Sequence, residues 1–340
     1  MYDPGTLYVD PILTEFSVGY QDQALYGIEL MPQTPVRTKS GSYRVFDRSN
    51  WVVHESRRQP GTVANEITGG KWSSDVFEVF EHSLQAPVWD EERQTLTSQG
   101  GLADPTFGGS LTINPEEDAT ELVTRSLLLA HEAKVSALIR NNANYPGGNT
   151  VALTGAQQWD NITYGTPGIA TTVTSDPVSD IMKGMRQIRT VTGRWPNTLA
   201  LPALGLPFIE NHPRVVDRFK NFTLSNPDAF KTLTGFDGRI ILTDSMYNSA
   251  NNIDANAVMT QFWGKDVWIG LVDPTPGQRT LTFGKTFAWI YPDGSTRPTD
   301  RWREEPRKSD LVRVSWNYDT KIVSGSAGYL IQTAFSAGSF

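Results

Sequence analysis

Four histidines, His54, His82, His131 and His212, are the first residues to test for chemistry, because a neutral imidazole can ligate a metal or move a proton near neutral pH. Their separations match no metal-ligand spacing, and although His54 and His82 could meet across a hairpin, two imidazoles do not complete a site. Paired carboxylates for glycoside hydrolysis would have to come from Asp90, Glu91 and Glu92 or from Glu304 and Glu305, and adjacent acids of this kind ordinarily form a solvated face. Gly69-Gly70-Lys71-Trp72 ends like a phosphate-binding loop, but the required first glycine falls on Asn65 and the Ser/Thr position on Trp72. No Gly-x-Ser-x-Gly elbow occurs, and Gly108-Gly109-Ser110 reads as loop. The densest basic group, Arg301, Arg303, Arg307 and Lys308, is interleaved with Trp302, Glu304 and Glu305, which suits ion pairing between subunits better than readout of DNA. The expectation is a protein that is not an enzyme, with no catalytic residues, no metal site and no cofactor.

Composition narrows the classes further. A net charge of −7, from 30 basic and 37 acidic residues well mixed along 340, argues against a nucleic-acid binder with one basic face. Zero cysteines exclude disulfides and thiolate chemistry. The first residues lack a basic and then apolar signal pattern, and no apolar run approaches a membrane span, so the expectation is a soluble protein with no membrane partner. Ten Trp, eleven Tyr and fifteen Phe in a chain only 38% hydrophobic fit extensive subunit interfaces.

The element that must position everything else is a long helix over 114–142. Asn114 is a good N-cap, Pro115 suits the first helical position, and Glu116, Glu117 and Asp118 meet the positive end of the dipole. Glu117 stands where it can reach back to the cap's own N–H, and Glu121 lies four residues before Arg125. Leu122, Val123, Leu127, Ala130, Ala133 and Ala137 form the predicted apolar stripe, widened by Leu128, Val135 and Ile139. Glu132 and Lys134 are predicted as surface or interface charges. Upstream, prolines and glycines in residues 1–40 are too closely spaced for a regular element, yet the segment is too apolar for a disordered tail. It must lie on a surface, and composition allows either its own domain or a neighbour. From 41 to 88, two long strands with a polar tip predict a protruding hairpin that cannot be stable alone. Asp176-Pro177 opens a second helix that closes at Gly193, and the strands after it predict an α+β half with a mainly antiparallel sheet.

In that order the parts resemble the major capsid proteins of tailed bacteriophages, the Hong Kong 97-type capsid fold. The resemblance spans essentially the whole chain and rests on the helix 115–142, the unit 177–202 with its turn Gly193-Arg194-Trp195-Pro196-Asn197, the segment Phe236-Asp237-Gly238-Arg239-Ile240-Ile241-Leu242-Thr243-Asp244, and the late strands 311–331. The opening Tyr2-Asp3-Pro4-Gly5-Thr6-Leu7 is similar to the arm of some phage capsid proteins. The family implies an N-terminal arm 1–40, an extended loop 41–88, a peripheral domain 89–175 with spine helix 115–142, an axial domain 176–300, and late strands 301–340 returning to the peripheral domain. It implies self-assembly as pentamers and hexamers into an icosahedral head shell around double-stranded DNA, met by non-specific contact. A separate scaffolding protein and a portal are the other implied partners, a decoration protein being left open, and the location is the virion, with assembly in the host cytoplasm. Candidate intersubunit contacts are Tyr8 and Phe16 of the arm; Trp51, Arg57, Arg58, Lys71 and Trp72 of the loop; and Arg301, Trp302 and Arg303. Some relatives join a loop lysine to a neighbour's asparagine; Lys71 raises that question, but no partner asparagine can be assigned. The alternatives are an encapsulin-like compartment in the same fold and, from another class, a carbohydrate-active or carbohydrate-binding protein.

Overall fold

In three places an Asp or Asn followed by proline starts a helix, because the side chain caps the free N–H groups and proline needs no partner for a missing one. Helix α1 (Pro11–Gly19) is capped by the Asp10 carboxylate, which accepts from the Ile12 and Leu13 N–H groups at 3.0 and 3.3 Å. A single turn, α2 (Gly27–Leu30), follows. Helix α3 (Pro115–Arg140) is capped by Asn114, which accepts from the Glu116 N–H at 3.2 Å. In helix α4 (Pro177–Thr192), Asp176 accepts from the Ser179 N–H at 3.1 Å, and Gly193, at φ 76°, takes the left-handed conformation that closes the last turn. The computed structural model describes residues 9–20, 22, 25–46, 53, 56–59, 61, 63, 72–91, 93, 114–162, 173–219, 231, 234–249, 258–275 and 281–336. Residues 1–40 were predicted to hold no regular element; α1 and α2 correct that, because the Asp10-Pro11 cap outweighs the surrounding punctuation.

Two mixed sheets flank α3. In the first, the long strand β13 (Ser309–Ile322) pairs on one side with β4 (Phe80–Trp89) and on the other with β12 (Thr299–Glu304) and β11 (Gly284–Trp289). Strand β1 (Gln33–Val36) joins that sheet parallel to β11. The second sheet runs β5 (Thr150–Ala152), β14 (Gly328–Gln332), β10 (Val267–Gly270), β6 (Thr198–Pro202) and β7 (Arg239–Thr243), with α4 packed on it. Its β5/β14 and β6/β7 pairs are parallel and its β14/β10 and β10/β6 pairs antiparallel; with β11/β13 and β12/β13 also antiparallel, pairing after α4 is mainly antiparallel as expected, though both sheets are mixed. A parallel neighbour needs a long crossover, and the short helices Leu206–Glu210 and Pro213–Phe219 lie within the one that links β6 to β7. Among the described residues, strands β2 (Ser40–Phe46) and β3 (Trp72–Glu78) pair with each other as a two-stranded ribbon, and β8 (Met246–Asn248) pairs with β9 (Met259–Gln261). β11 lies in the sheet with β13 and β14 in the sheet with β10, so each sheet draws strands from both sides of residue 300.

About 39 Å long at 1.5 Å per residue, α3 spans both cores. Its first half packs Val123 and Leu127 on Val314, and Leu128 beside Trp316 and Tyr318; its second half sends Val135 and Ile139 into the larger core with Trp268 and Leu330. The predicted apolar stripe is rotated from the real one. Leu122 is 61% exposed and Ala130, Ala133 and Ala137 are exposed, while Thr120, Thr124, His131, Glu132 and Ser136 are buried. Hydrogen bonding makes this possible, since a satisfied polar group can be buried and a sequence stripe counts only apolar ones. Glu117 accepts from the Asn114 side-chain amide at 3.1 Å rather than from the cap N–H, and Arg125 pairs with Asp22 at 3.1 Å. Leu127→Ala should therefore cost about 2–4 kcal/mol of subunit stability in denaturant unfolding, and Leu122→Ala less than about 0.5 kcal/mol. Equal costs would mean the buried face is wrong.

Candidate functional site

A carboxylate in the middle of α3 forms the joint between the parts. Glu132 is 1% exposed; its Oε1 accepts from the Trp263 indole Nε1–H at 2.6 Å and from the Ser245 hydroxyl at 3.1 Å, and its Oε2 accepts from the Gly27 N–H. The Tyr26 N–H is a further donor. Burial raises the Glu132 pKa, opposed by the bonds from Trp263, Gly27, Ser245 and Tyr26. The same segments are tied again by Tyr26 Oη donating to Asp244 at 2.8 Å and by Arg239 pairing with Glu29 at 2.8 Å. Only glycine fits at position 27, because a Cβ there would come within 2.7 Å of Glu132 Oε2 and 3.0 Å of His131 Nδ1. Glu132 is thus corrected from a surface charge to a buried one.

His131 faces the first sheet. Its Nε2 lies 3.1 Å from Thr286 Oγ1, and that hydroxyl donates to the Met31 carbonyl at 3.1 Å, so Nε2 carries the hydrogen. Burial, with Lys134, Arg297 and His82 nearby, pushes its pKa down to about 3, which keeps the ring neutral. His82 stands opposite Trp316 in the β4/β13 register, and His212 lies 3.0 Å from Ser175. His54 is outside the described residues, so the pairing expected for it lies there too. Lys134 is corrected in part: it pairs with Asp319 at 3.8 Å and sits 5.0 Å above the Tyr318 ring.

At the N-terminus of α3 the basic cluster is engaged within the chain. Arg301 reaches Glu116 at 2.6 Å and Asp310 at 2.9 Å; Arg93 reaches the same two acids at 2.8 Å each; Arg303 forks onto Asp90. Arg303 and Asp310 stand opposite in the β12/β13 register, which is why they meet, and the Arg313 guanidinium lies over the Trp302 ring at 5.1 Å. Arg301 and Arg303, expected as intersubunit contacts, each pair with acids of their own chain. Helix α1 is likewise held in cis: Thr299 N–H donates to Thr14 Oγ1 at 3.0 Å, Arg297 donates to the Val18 carbonyl at 2.9 Å, and Ser17 meets Thr124 at 3.1 Å. Phe16 lies on its outer side, 36% exposed. Arg57 and Arg58 are exposed. Tyr8, Trp51 and Lys71 fall outside the described residues, as does the side chain of Trp72.

What these contacts position is the outer surface: the β2/β3 ribbon and β4 beyond it, where Val76, Phe80 and Leu84 are 59%, 55% and 43% exposed. No protein-family profile matches the chain. It is 24% identical over 326 residues, 95% of each chain, to the major capsid protein of Burkholderia phage BcepMu. In three dimensions it superposes on a phage-related protein from Bordetella bronchiseptica with a TM-score of 0.71 at 24% identity, covering 97% of this chain and 98% of that one. The fold is the Hong Kong 97-type capsid fold, and the chain is related to phage major capsid proteins. The capsid structure of cyanophage P-SCSP1u agrees, with a TM-score of 0.55 at 10% identity over 98% of this chain and 92% of that one. Within this capsid fold, the Glu132 joint is what sequence inspection missed; the one available signal was an acid at a position that the 3.6-residue periodicity turns inward with Leu128 and Val135.

Both acid clusters predict measurable effects. Glu132→Gln puts an amide donor against groups that already donate, and should cost about 2–4 kcal/mol in thermal or denaturant unfolding of the subunit; a loss under about 0.5 kcal/mol would show that the joint is not required. Burial alone would raise the Asp310 carboxyl, but hydrogen bonds from Arg93 and Arg301 outweigh it and hold it below the usual carboxylate range. The native state then binds fewer protons than the unfolded one, so this stabilisation is present above the ordinary carboxylate value and lost as pH falls through the lowered one. Glu132, with its raised value, has the opposite sign: the fold gains from it as pH falls from the raised value to the ordinary one. Asp310→Asn should flatten the loss of thermal stability below about pH 4, and an unchanged acid limb would exclude Asp310 as its source.

Proposed function

We propose that this protein is the shell-forming subunit of a tailed-phage head, assembling with copies of itself as pentamers and hexamers around double-stranded DNA. Its role is structural rather than catalytic. The observation that carries this is the near full-length relation to the BcepMu major capsid protein, over 95% of both chains. The physical form of the chain supports it: the β2/β3 ribbon is anchored on its own sheet by Phe77, stacked on Phe287 at 4.6 Å, and by Tyr43, which donates to the Ile322 carbonyl at 3.1 Å, while Val76 of the ribbon and Phe80 and Leu84 of β4 remain an exposed apolar face that a neighbouring surface would cover. Residues 41–88 then act as the extended loop, lying on the adjacent subunit together with the first residues of the arm. The spine α3 with the β13 sheet forms the peripheral domain, and α4 with the β10 sheet forms the axial domain around the five- and six-fold centres. A separate scaffolding protein and a portal complete the assembly, which takes place in the host cytoplasm before the subunit resides in the virion.

Electron microscopy of the expressed protein, alone and with the scaffolding protein, tests this. Closed icosahedral shells are expected, and heads recovered from infected cells should be filled with DNA. A species that stays monomeric with scaffold supplied would overturn the shell role, while shells filled with an enzyme cargo instead of DNA would make the protein a compartment.

A further inference from the structure

The chain is acidic overall but not evenly so. Between Asp180 and Glu210 there is no acidic residue, although acids elsewhere supply 37 of the 340 positions, about one in nine. The same stretch carries Lys183, Arg186, Arg189 and Arg194, and all four are exposed. The gap runs from α4 through the turn after it, β6 and the start of the helix Leu206–Glu210, and its four cations all lie on α4 or in that turn. Helix α4 buries Val178, Ile181, Met185, Ile188 and Thr192 against the β10 sheet. Lys183, Arg186 and Thr190 recur at three and seven residues on the opposite side, with Arg189 on their flank. Lys183 is tied to Asp180 at 3.0 Å, whereas Arg186, Arg189 and Arg194 make no ion pair among the described residues. The Arg189 guanidinium stacks over Trp195, 5.3 Å from the ring centre, on an indole that is itself 52% exposed. Stacking of this kind holds a guanidinium without neutralising it.

We propose that this face of α4, with Arg186, Arg189 and Arg194 as its contacts, is where the shell meets the phosphates of the packaged DNA. The proposal rests on the reading of the protein as a DNA-filled shell, and assigns the lumenal side to α4. Arginine supplies the fit, because its planar fork matches phosphate oxygens while remaining charged at any pH the virion meets. From Lys183 to Thr190 the helix rises about 10 Å, and duplex DNA carries a phosphate about every 3.4 Å along each strand, so several phosphates fall within reach of one face. Thr190 on this face spends its hydroxyl on the Arg186 carbonyl at 2.8 Å, so the contact is carried by charge on the phosphates, which suits a container that must accept any sequence. Such a face also offsets locally the repulsion between an acidic subunit and a polyanion. An acidic surface on a second copy is the competing occupant; three unpaired arginines beside an exposed Trp would serve it too, but it would make α4 necessary for assembly.

The test uses the full-length unassembled subunit and a 30-base-pair duplex of arbitrary sequence, with binding followed by fluorescence anisotropy between about 50 and 200 mM salt. Arg186→Ala/Arg189→Ala/Arg194→Ala should weaken binding about tenfold or more at the low-salt end and reduce the slope of log affinity against log salt by roughly two to three. The same variant should still form shells by electron microscopy. The corresponding triple lysine variant keeps the charge and should retain most of the binding and slope, which also covers an alanine variant that fails to fold. Arg57→Ala/Arg58→Ala, equally exposed but elsewhere, should leave the slope within about one unit. Unchanged affinity and slope in the alanine variant overturn the proposal, as does a lysine variant that binds no better than alanine. Lost shells with unchanged DNA binding assign the face to a second copy instead. A wild-type protein that forms shells but binds no duplex fails this proposal alone, whereas one that forms no shells fails the shell reading itself.

Discussion

A carboxylate buried in the middle of a helix must be satisfied on every side or the fold cannot hold it, and Glu132 is satisfied by groups from segments far apart in the chain. Tyr26 and Gly27 come from the N-terminal segment, Ser245 and Trp263 from the second half, and the helix itself from between them. Each donor can only be placed if the other two segments are already in position. The joint is therefore a statement about the whole arrangement: the N-terminal segment must cross the spine at a glycine, and the loops after β7 and after the strand Met259–Gln261 must approach it from the other side.

Around that joint, α3 works as a beam. One half is packed against the β13 sheet and the other against the core beneath α4, so the two sheets are held at a fixed offset by apolar contacts along a single element. The ion cluster of Glu116 and Asp310 with Arg93 and Arg301 fixes one end of the beam, and Arg140, paired with Asp266 at 2.7 Å, fixes the other. A beam with charge-paired ends and a hydrogen-bonded middle resists rotation of the two sheets as well as their separation. Helix α1 and strand β1 add to this by packing on their own chain.

The uneven charge follows the same division of labour. Acids and bases near the spine are spent on one another inside the chain, whereas Arg186, Arg189 and Arg194 on and beside the outer side of α4 make no ion pair among the described residues. A chain-wide charge of −7 hides this, since a total says nothing of where its members lie.

Much of the fold was legible in local sequence. The caps at Asn114-Pro115 and Asp176-Pro177, the left-handed close at Gly193 and most strands of the second half are set by interactions within a few residues of one another, which a linear reading can weigh. The same cap at Asp10-Pro11 was there to be read and was hidden by its neighbouring prolines and glycines. Other features depend on partners more than a hundred positions away. Whether Leu122 or Thr124 faced inward, whether Glu132 was wet or dry, and whether Arg301 met its own chain were decided by what lay opposite: Ser17, Trp263 and Glu116. The sequence by itself determined which elements form and in what order, because caps, periodicity and turns are local. Only the tertiary structure decided which face of the spine is buried and that the sheets are mixed, because burial of a polar side chain and the pairing of distant strands are properties of the assembled neighbours.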